Sequence, residues 1–432
     1  MRMLPLVTAS LEGGHEGEAR WSARRASSAR PLHTPMSGRK RSLTHTGGRC
    51  RLSGDPALAA TLAHCLAVDP AAPLPFTHGF HAYPARMHPE TARRVIATFP
   101  GGRIVDPFVG AGTTAVEAVR AGRPFTGFDI STIPLEIAWT RTRIGRPVQS
   151  RQVEEAARRV VGRAFHAIVH DVTRLPWPRT ESAWYDPHTL REIAVLKRLI
   201  DGETPTVRRL LTVVLSAVLV KLSYQISESD IKKDRHVRPR PRGAAFRWFS
   251  AKSAELTHGL LLLSADLFKR KIPFHEPELR QEDARDAPLP PDGMDLVVTS
   301  PPYAGIYDYA RHQARRYPLF DEDPQFAEEH ELGARRDAST YRVDMEAVMK
   351  HLLGALTPQG RIVMLIGDGQ QVKADAFIAE TAAQLGAQVL AMASQSRKDW
   401  RGGQPKQEHL IVLGRSAHVV CRGRRCSQTK VR

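Results

Sequence analysis

Short apolar segments recur along the chain, and several end in a glycine-rich turn or an acidic residue. The pattern of residues 102–106 predicts a buried strand, 113–121 has helical spacing, and 124–129 predicts a second strand that ends in an acid. A strand, a helix and a strand in this order favour a right-handed parallel unit, so we expect an α/β fold with a Rossmann-like sheet. Further strands are predicted at 278–281, 294–299, 361–366, 388–392 and 409–413.

The region between the second and third predicted strands, residues 131–275, has a different pattern. Its apolar positions repeat with helical spacing, which predicts an inserted helical domain that interrupts the sheet. The longest apolar run, 210–222, contains Lys221 and is too short to span a bilayer, so it predicts a buried helix and no membrane partner. Helices are predicted at 57–68, 153–168, 189–200, 207–223 and 251–268.

Five segments follow from these patterns. The first 52 residues are rich in Ser, Arg and Gly and lack apolar periodicity, which predicts a disordered basic leader in which Met36 is an alternative start. An ordered body is expected to begin near Pro56. The predicted segments are the leader 1–52, a first α/β part 53–130, the helical insertion 131–275, a second α/β part 276–413 and a basic tail 414–432.

The charge of the chain indicates a polyanionic partner. The net charge is +18, and the excess of Lys and Arg is concentrated in the two ends and in the predicted insertion. The four cysteines, Cys50, Cys65, Cys421 and Cys426, show no metal-ligand spacing, so we expect reduced thiols and no metal. With no apolar secretion signal at the beginning of the sequence, a cytoplasmic protein is predicted.

A glycine-rich turn between the first predicted strand and helix is a candidate cofactor loop. Its sequence, Asp106-Pro-Phe-Val-Gly-Ala-Gly-Thr-Thr114, also fits an ordinary tight turn or a nucleotide-phosphate loop. It lacks the Lys of a phosphate loop, and two threonines open the helix, which suits a zwitterion such as the methionine end of S-adenosylmethionine. Asp129, at the end of the next strand, can accept both ribose hydroxyls or cap the following helix.

A second loop, Ser300-Pro301-Pro302-Tyr303, follows an apolar strand and is a candidate catalytic loop. Paired prolines remove two amide donors and leave carbonyl oxygens as acceptors. An amino group held by the Ser300 hydroxyl and the Pro301 carbonyl could turn its lone pair towards a methyl sulfonium. Tyr303 would stack on a base that has left the duplex, although a plain Pro-Pro turn with a packing Tyr is the alternative.

These two motifs resemble the DPFxGxGTT and (S/T)SPPY motifs of the bacterial amino-methylating (cytosine-N4 or adenine-N6) DNA methyltransferases. A third segment, residues 80–89, resembles the family's segment that lines the methionine pocket. The resemblance covers roughly 76–131 and 276–413, and it implies a Rossmann-like S-adenosylmethionine-dependent methyltransferase sheet. It also implies that Asp283 contacts the amino group of the cofactor's adenine. The other implied cofactor-binding residues are Tyr83, Arg86, Asp106, Phe108, Gly110, Gly112, Thr113 and Asp129.

The catalytic loop begins with Ser rather than Asp or Asn, which resembles the cytosine-N4 branch, although some members with Ser act on adenine. Methylation of a ring carbon is not expected, because it needs a cysteine nucleophile next to proline. Two further alternatives stay open: an RNA amino-methyltransferase and an inactive nucleic-acid-binding relative. The resemblance also suggests a cognate restriction endonuclease as a partner, while the sequence leaves the oligomeric state and recognition sequence open.

A dense basic run at 232–243, inside the helical insertion, is the candidate DNA-binding segment. It predicts contacts with the phosphates of double-stranded DNA, with a solvated linker as the alternative. On this hypothesis the insertion is a target-recognition region. The candidate DNA-binding residues are Lys232, Lys233, Arg235, Arg238, Arg240 and Arg242.

Overall fold

A mixed sheet with helices on both faces forms the centre of this computed structural model. The structure describes residues 49–416 except 70–71, 84–85, 144–146, 171–173, 235, 237–238, 290–292, 334–336, 370 and 398–405. The predicted leader and tail therefore lie almost entirely outside the described residues. So do Cys421, Cys426, and two members of the basic run, Arg235 and Arg238.

The strands and helices are numbered in chain order. The strands are β1 (Arg51–Gly54), β2 (Ile104–Asp106), β3 (Phe125–Asp129), β4 (Gln225–Ser227), β5 (Asp230–Lys233), β6 (Glu278–Gln281), β7 (Met294–Thr299), β8 (Leu356–Gly367), β9 (Ala387–Arg397) and β10 (Lys406–Arg415). The helices are α1 (Pro56–Leu66), α2 (Pro89–Thr98), α3 (Thr113–Arg120), α4 (Thr132–Thr142), α5 (Pro147–Ala167), α6 (Arg179–Ser182), α7 (Pro187–Asp201), α8 (Pro205–Leu222), α9 (Ala244–Arg270), α10 (Tyr309–Gln313), α11 (Tyr317–Phe320), α12 (Pro324–His330), α13 (Ala338–Gly354) and α14 (Ala374–Gln384).

The eight-stranded sheet has the order β1-β9-β10-β8-β7-β2-β3-β6. The five adjacent strands β8, β7, β2, β3 and β6 pair in parallel. Strand β10 is antiparallel to both of its neighbours, β8 and β9. The direction in which the chain adds strands changes between β2 and β7, and in such sheets the crevice at this switch point is where ligands bind. The predicted Rossmann-like α/β fold is confirmed, and both candidate loops follow strands at its switch point.

The first described strand, β1, lies at the boundary between the predicted leader and the first α/β part. Arg51–Gly54 forms β1, which pairs antiparallel with β9, and its first two residues fall within the predicted leader 1–52. All four side chains of β1 are exposed, and the strand is held by backbone pairing and an ion pair from Arg51 to Asp375. Because no buried side chain marks β1, its sequence carries no apolar pattern.

The helices of residues 131–275 pack against the sheet's own helices rather than apart from them. A single hydrophobic cluster joins Leu211 and Phe249 of the insertion to Ala111 of the cofactor loop, and it also contains Ile137 of α4 at the start of the same region. The described residues form one compact unit. The helical region therefore packs against the cofactor loop. Among the described helices, none is both long enough and apolar enough to cross a membrane.

Candidate active site

A well-formed cleft lies at the carboxyl ends of β2, β3 and β7, with a volume of about 980 Å³ that includes its opening to solvent. The segment that contains α10 to α12 forms its opposite wall. Of the residues singled out from the sequence, those that line the cleft are Tyr83, Arg86, Asp106, Phe108, Gly110, Thr113, Asp129, Ser300 and Pro302. Gly112, Asp283, Pro301 and Tyr303 do not line it.

The two glycines of the cofactor loop have backbone conformations that other residues rarely adopt. Gly110 has φ of 48° and Gly112 has φ of 79°. A Cβ on Gly112 would lie 2.6 Å from the Cβ of Ala138, so this glycine lets α4 pack directly beneath the loop. Gly110 faces the cleft, where its missing side chain leaves the backbone open to a ligand.

Asp106 connects the cofactor loop with the catalytic strand. Its Oδ1 accepts hydrogen bonds from Thr299 Oγ1 at 2.7 Å and from the Phe108 amide at 3.1 Å. Burial raises the pKa of Asp106 to about 6, although the hydrogen bonds from Thr299 and Thr114 favour its charged form. The carboxylate therefore holds the ends of β2 and β7 together at the floor of the cleft.

Asp129 lies half-buried at the end of β3, where its carboxylate orders two loops. Its oxygens accept hydrogen bonds from the Gly110 amide at 3.1 Å and the Ser131 amide at 3.2 Å. Burial raises the pKa of Asp129 to about 7, and the nearby carboxylates of Glu322 and Asp106 raise it further. Each carboxylate oxygen can accept more than one hydrogen bond, so both retain capacity for a ligand's hydroxyls.

The catalytic loop presents Ser300 and Pro302 to the cleft but turns Tyr303 away from it. Tyr303 is 6% exposed, packs in the core beside β8, and donates a hydrogen bond from its hydroxyl to Glu408 Oε1 at 3.0 Å. The predicted stacking surface of Tyr303 is therefore corrected: its ring is covered by apolar neighbours and its hydroxyl is held by a buried acid. The Pro302 carbonyl accepts a hydrogen bond from Tyr341.

Asp283, which the resemblance implied as a cofactor contact, lies between two residues that line the cleft and is paired with Arg285. Its carboxylate accepts hydrogen bonds from the backbone amide and the guanidinium of Arg285, which also pairs with Asp344. Burial opposes ionisation of Asp283, but Arg285 lowers its pKa below the usual value. Its neighbours Glu282 and Ala284 line the cleft instead.

A fully buried arginine that the sequence did not single out fixes the cofactor loop to the segment before α2. Arg141 donates hydrogen bonds to the carbonyls of Ala111, His78 and His81. Arg86 donates to the same His78 carbonyl at 2.6 Å. No spacing rule marks Arg141, because its three acceptors are backbone atoms far from it in sequence.

The wall formed by α10 and α11 supplies aromatic and amide groups that sequence reasoning also missed. Tyr309 stacks on Tyr83 with ring centroids 6.5 Å apart, and Gln313 and Tyr317 line the cleft beside them. Three buried polar atoms of the lining have no hydrogen-bond partner within the described structure: Thr113 Oγ1, Gln313 Nε2 and Tyr317 OH. Buried polar groups are normally satisfied, so these atoms can bond to polar groups of a ligand in the cleft. The only sequence signal was the aromatic-rich run after the catalytic loop.

The described members of the basic run have two kinds of surroundings. Lys232, Lys233 and Arg242 are exposed. Arg240 is partly buried and donates a hydrogen bond to the Ser223 carbonyl, while its backbone amide bonds to Asp186. Arg240 therefore supports the fold of the insertion.

The sheet order and the cleft at its switch point define a Rossmann-like α/β protein with a ligand site at the carboxyl ends of β2, β3 and β7. Residues 68–138, which include the cofactor loop and Asp129, match a DNA methylase family whose model is named for N6 and N4 methylation. No curated protein matches the chain.

The solved structures that resemble this chain are distant. TrmN from Thermus thermophilus is 11% identical with a TM-score of 0.30, covering 76% of this chain and 49% of that chain. A methyltransferase from Methanosarcina mazei is 8% identical with a TM-score of 0.32, covering 74% and 97%. The rRNA methyltransferase AviRa from Streptomyces viridochromogenes is 13% identical with a TM-score of 0.29, covering 84% and 95%. This chain thus spans about half the length of TrmN.

The lining of the cleft fits S-adenosylmethionine as the cofactor. Asp129 would offer its carboxylate oxygens to the ribose hydroxyls, and Thr113 would offer the zwitterionic end a hydroxyl that has no partner in the described structure. Gly110 lets the ligand approach the backbone. When bound, this cofactor supplies an electrophilic methyl group on a sulfonium.

Proposed function

We propose that this protein transfers a methyl group from S-adenosylmethionine to the exocyclic amino group of a base in DNA, with cytosine N4 as the acceptor. The observation that carries the proposal is the hydrogen bond from Thr299 to Asp106. It fixes the Ser300-Pro301-Pro302-Tyr303 loop beside the cofactor loop, and Ser300 lines the same cleft as Asp129. An amino group at Ser300 is then within the space that also receives the methyl donor.

The chemistry assigned to Ser300 is orientation of the acceptor nitrogen. Its hydroxyl and the Pro301 carbonyl accept hydrogen bonds from the amino group and hold it turned, so that the nitrogen lone pair leaves conjugation with the base ring and faces the methyl group. The nitrogen attacks the methyl carbon, an N–C bond forms, and the electron pair of the broken C–S bond stays on sulfur. The methylated nitrogen then releases one proton to water. No covalent intermediate with the protein is needed.

Tyr303 has a positioning role in this proposal rather than contact with the base. Its hydroxyl bond to Glu408 of β10 attaches the catalytic loop to the sheet, and the Tyr341 bond to the Pro302 carbonyl fixes the same loop from α13. Thr299 is bound to Asp106 before Ser300, and Pro302 and Tyr303 are bound after it, so Ser300 keeps one orientation. Such pre-organisation is what an oriented methyl transfer requires.

DNA is preferred to RNA as the substrate because the matched family is one of DNA methylases. Cytosine N4 is preferred to adenine N6 because the loop begins with Ser300, as in the cytosine branch that the motif resembles. An adenine-N6 DNA methyltransferase is the second candidate, supported by the family's name, which covers both acceptors.

The proposal is tested with S-adenosylmethionine that carries a labelled methyl group. The purified full chain and Ser300→Ala are each incubated with unmethylated genomic DNA and, separately, with total RNA. We expect label in DNA with the wild-type protein and little with Ser300→Ala. Label in RNA alone would overturn the DNA assignment, and equal labelling by both proteins would overturn the role of Ser300.

A further inference from the structure

A second cleft lies on the other side of α10 from the cofactor cleft. It has a volume of about 1010 Å³, including open solvent, and is lined by Trp184, Ile231, Lys232, Lys233, Arg311 and Arg315. We call it the basic groove. It is formed between the β4–β5 hairpin of the helical insertion and the chain that follows the catalytic loop.

The short helix α10 is the wall shared by the basic groove and the cofactor cleft. Tyr309 and Gln313 line the cofactor cleft, whereas Arg311 and Arg315 line the groove. With 3.6 residues per turn, positions i and i+4 share a helix face, and Arg311 projects from the face opposite to Tyr309. The two spaces are therefore about one helix diameter, roughly 10 Å, apart.

The basic groove has cations in excess of acids. Lys232, Lys233 and Arg311 are exposed, and in the described part of the chain none of them forms an ion pair with a carboxylate. Lys233 donates a hydrogen bond to the Ala183 carbonyl, which directs its ammonium group across the groove without neutralising it. Only Arg315 is balanced by an acid, Glu181, at 2.6 Å. The groove suits a polyanion.

Trp184 gives the basic groove a rigid apolar wall. Its ring is half-buried, with the Arg315 guanidinium 3.9 Å from the ring centroid and the Lys233 ammonium 5.9 Å from it. Cations that follow a backbone, combined with an aromatic ring for a base or sugar, are the features by which proteins hold unpaired nucleic acid.

We propose that the basic groove binds the phosphate backbone of the DNA strand that carries the target base. The proposal rests on the proposed function, which identifies the polyanion as DNA. With the backbone held against Arg311 and Lys232, a base swung out of the duplex reaches the cofactor cleft around α10. The groove adds Trp184, Arg311 and Arg315 to the DNA-binding residues predicted from sequence, and it joins the insertion to the catalytic loop in one surface.

The test compares two charge-matched double variants of the full chain. Lys232→Gln with Arg311→Gln removes two groove cations, whereas Lys269→Gln with Lys350→Gln removes two exposed lysines that do not line the groove. Binding of a fluorescent duplex DNA is measured at several salt concentrations. We expect the slope of log affinity against log salt to fall by about two in the groove variant, since each lost phosphate contact contributes about 0.9. The control slope should equal that of the wild type.

An unchanged slope in the groove variant, or an equal fall in the control, would overturn the proposal. A slope change seen with an RNA duplex and not with DNA would overturn DNA as the occupant. The affinity for S-adenosylmethionine, measured in parallel, should be the same in all three proteins. If the wild type binds DNA through the groove yet transfers no methyl group to it, the proposed function fails and the groove assignment stands.

Discussion

Thr299 donates a hydrogen bond to Asp106 at 2.7 Å, although the two residues are 193 positions apart in sequence. Thr299 ends β7 and Asp106 ends β2, so this single bond joins the catalytic loop to the cofactor loop across the switch point. Both partners are buried. The Thr299–Asp106 pair therefore fixes the distance between the cofactor loop and the catalytic loop at the bottom of the cleft.

Replacing Thr299 with Val keeps the shape of the side chain but removes the donor. We expect Thr299→Val to lower the free energy of unfolding by about 1–3 kcal/mol, because the buried Asp106 carboxylate loses a hydrogen bond. Thr299→Ser retains the hydroxyl and is the matched control. Denaturant unfolding measures both, and equal losses in the two variants would assign the effect to packing rather than to the bond.

We expect the Asp129 carboxylate to bind the cofactor, although its burial destabilises the folded protein when the carboxylate is charged. Asp129→Asn should weaken S-adenosylmethionine binding by about 1–3 kcal/mol, the size expected for hydrogen bonds to a charged group. Calorimetric titration measures the loss. An affinity equal to that of the wild type would contradict the assignment of Asp129 to the ribose hydroxyls.

The same substitution should stabilise the cofactor-free protein at high pH. The folded-state pKa of Asp129 is raised to about 7, so ionisation of this carboxyl disfavours folding increasingly as pH rises from its ordinary pKa, about 4, to 7. Asn carries no charge and removes this penalty. Thermal unfolding of wild type and Asp129→Asn at pH 5 and pH 8 should therefore show a larger advantage for the variant at pH 8. An advantage that is equal at both pH values would show that Asp129 does not titrate in this window.

Gly112 is predicted to be irreplaceable for steric reasons. In Gly112→Ala the new Cβ would meet Ala138 at 2.6 Å and the backbone would keep φ of 79°, so we expect a loss of unfolding free energy of about 1–3 kcal/mol or more. Gly162→Ala is the control, because Gly162 lies in α5 with open space around its Cβ position. That variant should be more stable than the wild type by about 0.5–1 kcal/mol. A Gly112→Ala protein as stable as the wild type would contradict the packing of α4 beneath the loop.

Ser300→Ala and Tyr303→Phe separate orientation of the acceptor from positioning of the loop. Ser300→Ala should lower kcat by roughly 10²–10³-fold, the effect typical of losing one hydrogen-bonding group that acts in the transition state. Tyr303→Phe retains the buried ring and removes the bond to Glu408, so a smaller fall in kcat is expected. Neither should change the affinity for S-adenosylmethionine. Wild-type turnover in Ser300→Ala would exclude its catalytic role.

Local sequence patterns were sufficient to predict those strands and turns that also carry the candidate site residues. The strand that ends in Asp106, the glycine turn and the strand that ends in Asp129 are contiguous, and each has a pattern that can be recognised alone. The strand β1 was missed because its structure comes from pairing with β9, which no local pattern records.

Contacts between distant segments also set the surroundings of the site residues. Asp283 lies two residues before Arg285, and the ion pair between them competes with any ligand. Tyr303 turns inward because Glu408, more than a hundred residues away in sequence, supplies a buried acceptor. The roles of Arg141 and Gln313 could not be predicted from local patterns, because their contacts are with segments distant in sequence that fold around one cleft.

The identity of the methylated nucleoside is the most direct test of the central claim. Wild-type protein is incubated with unmethylated DNA and S-adenosylmethionine bearing a deuterated methyl group, and the DNA is digested to nucleosides for mass spectrometry. The account predicts the deuterated methyl group in N4-methylcytosine. Label in N6-methyladenine would retain the amino-group chemistry and contradict the cytosine assignment, whereas label in 5-methylcytosine, or in no deoxynucleoside, would contradict the account itself.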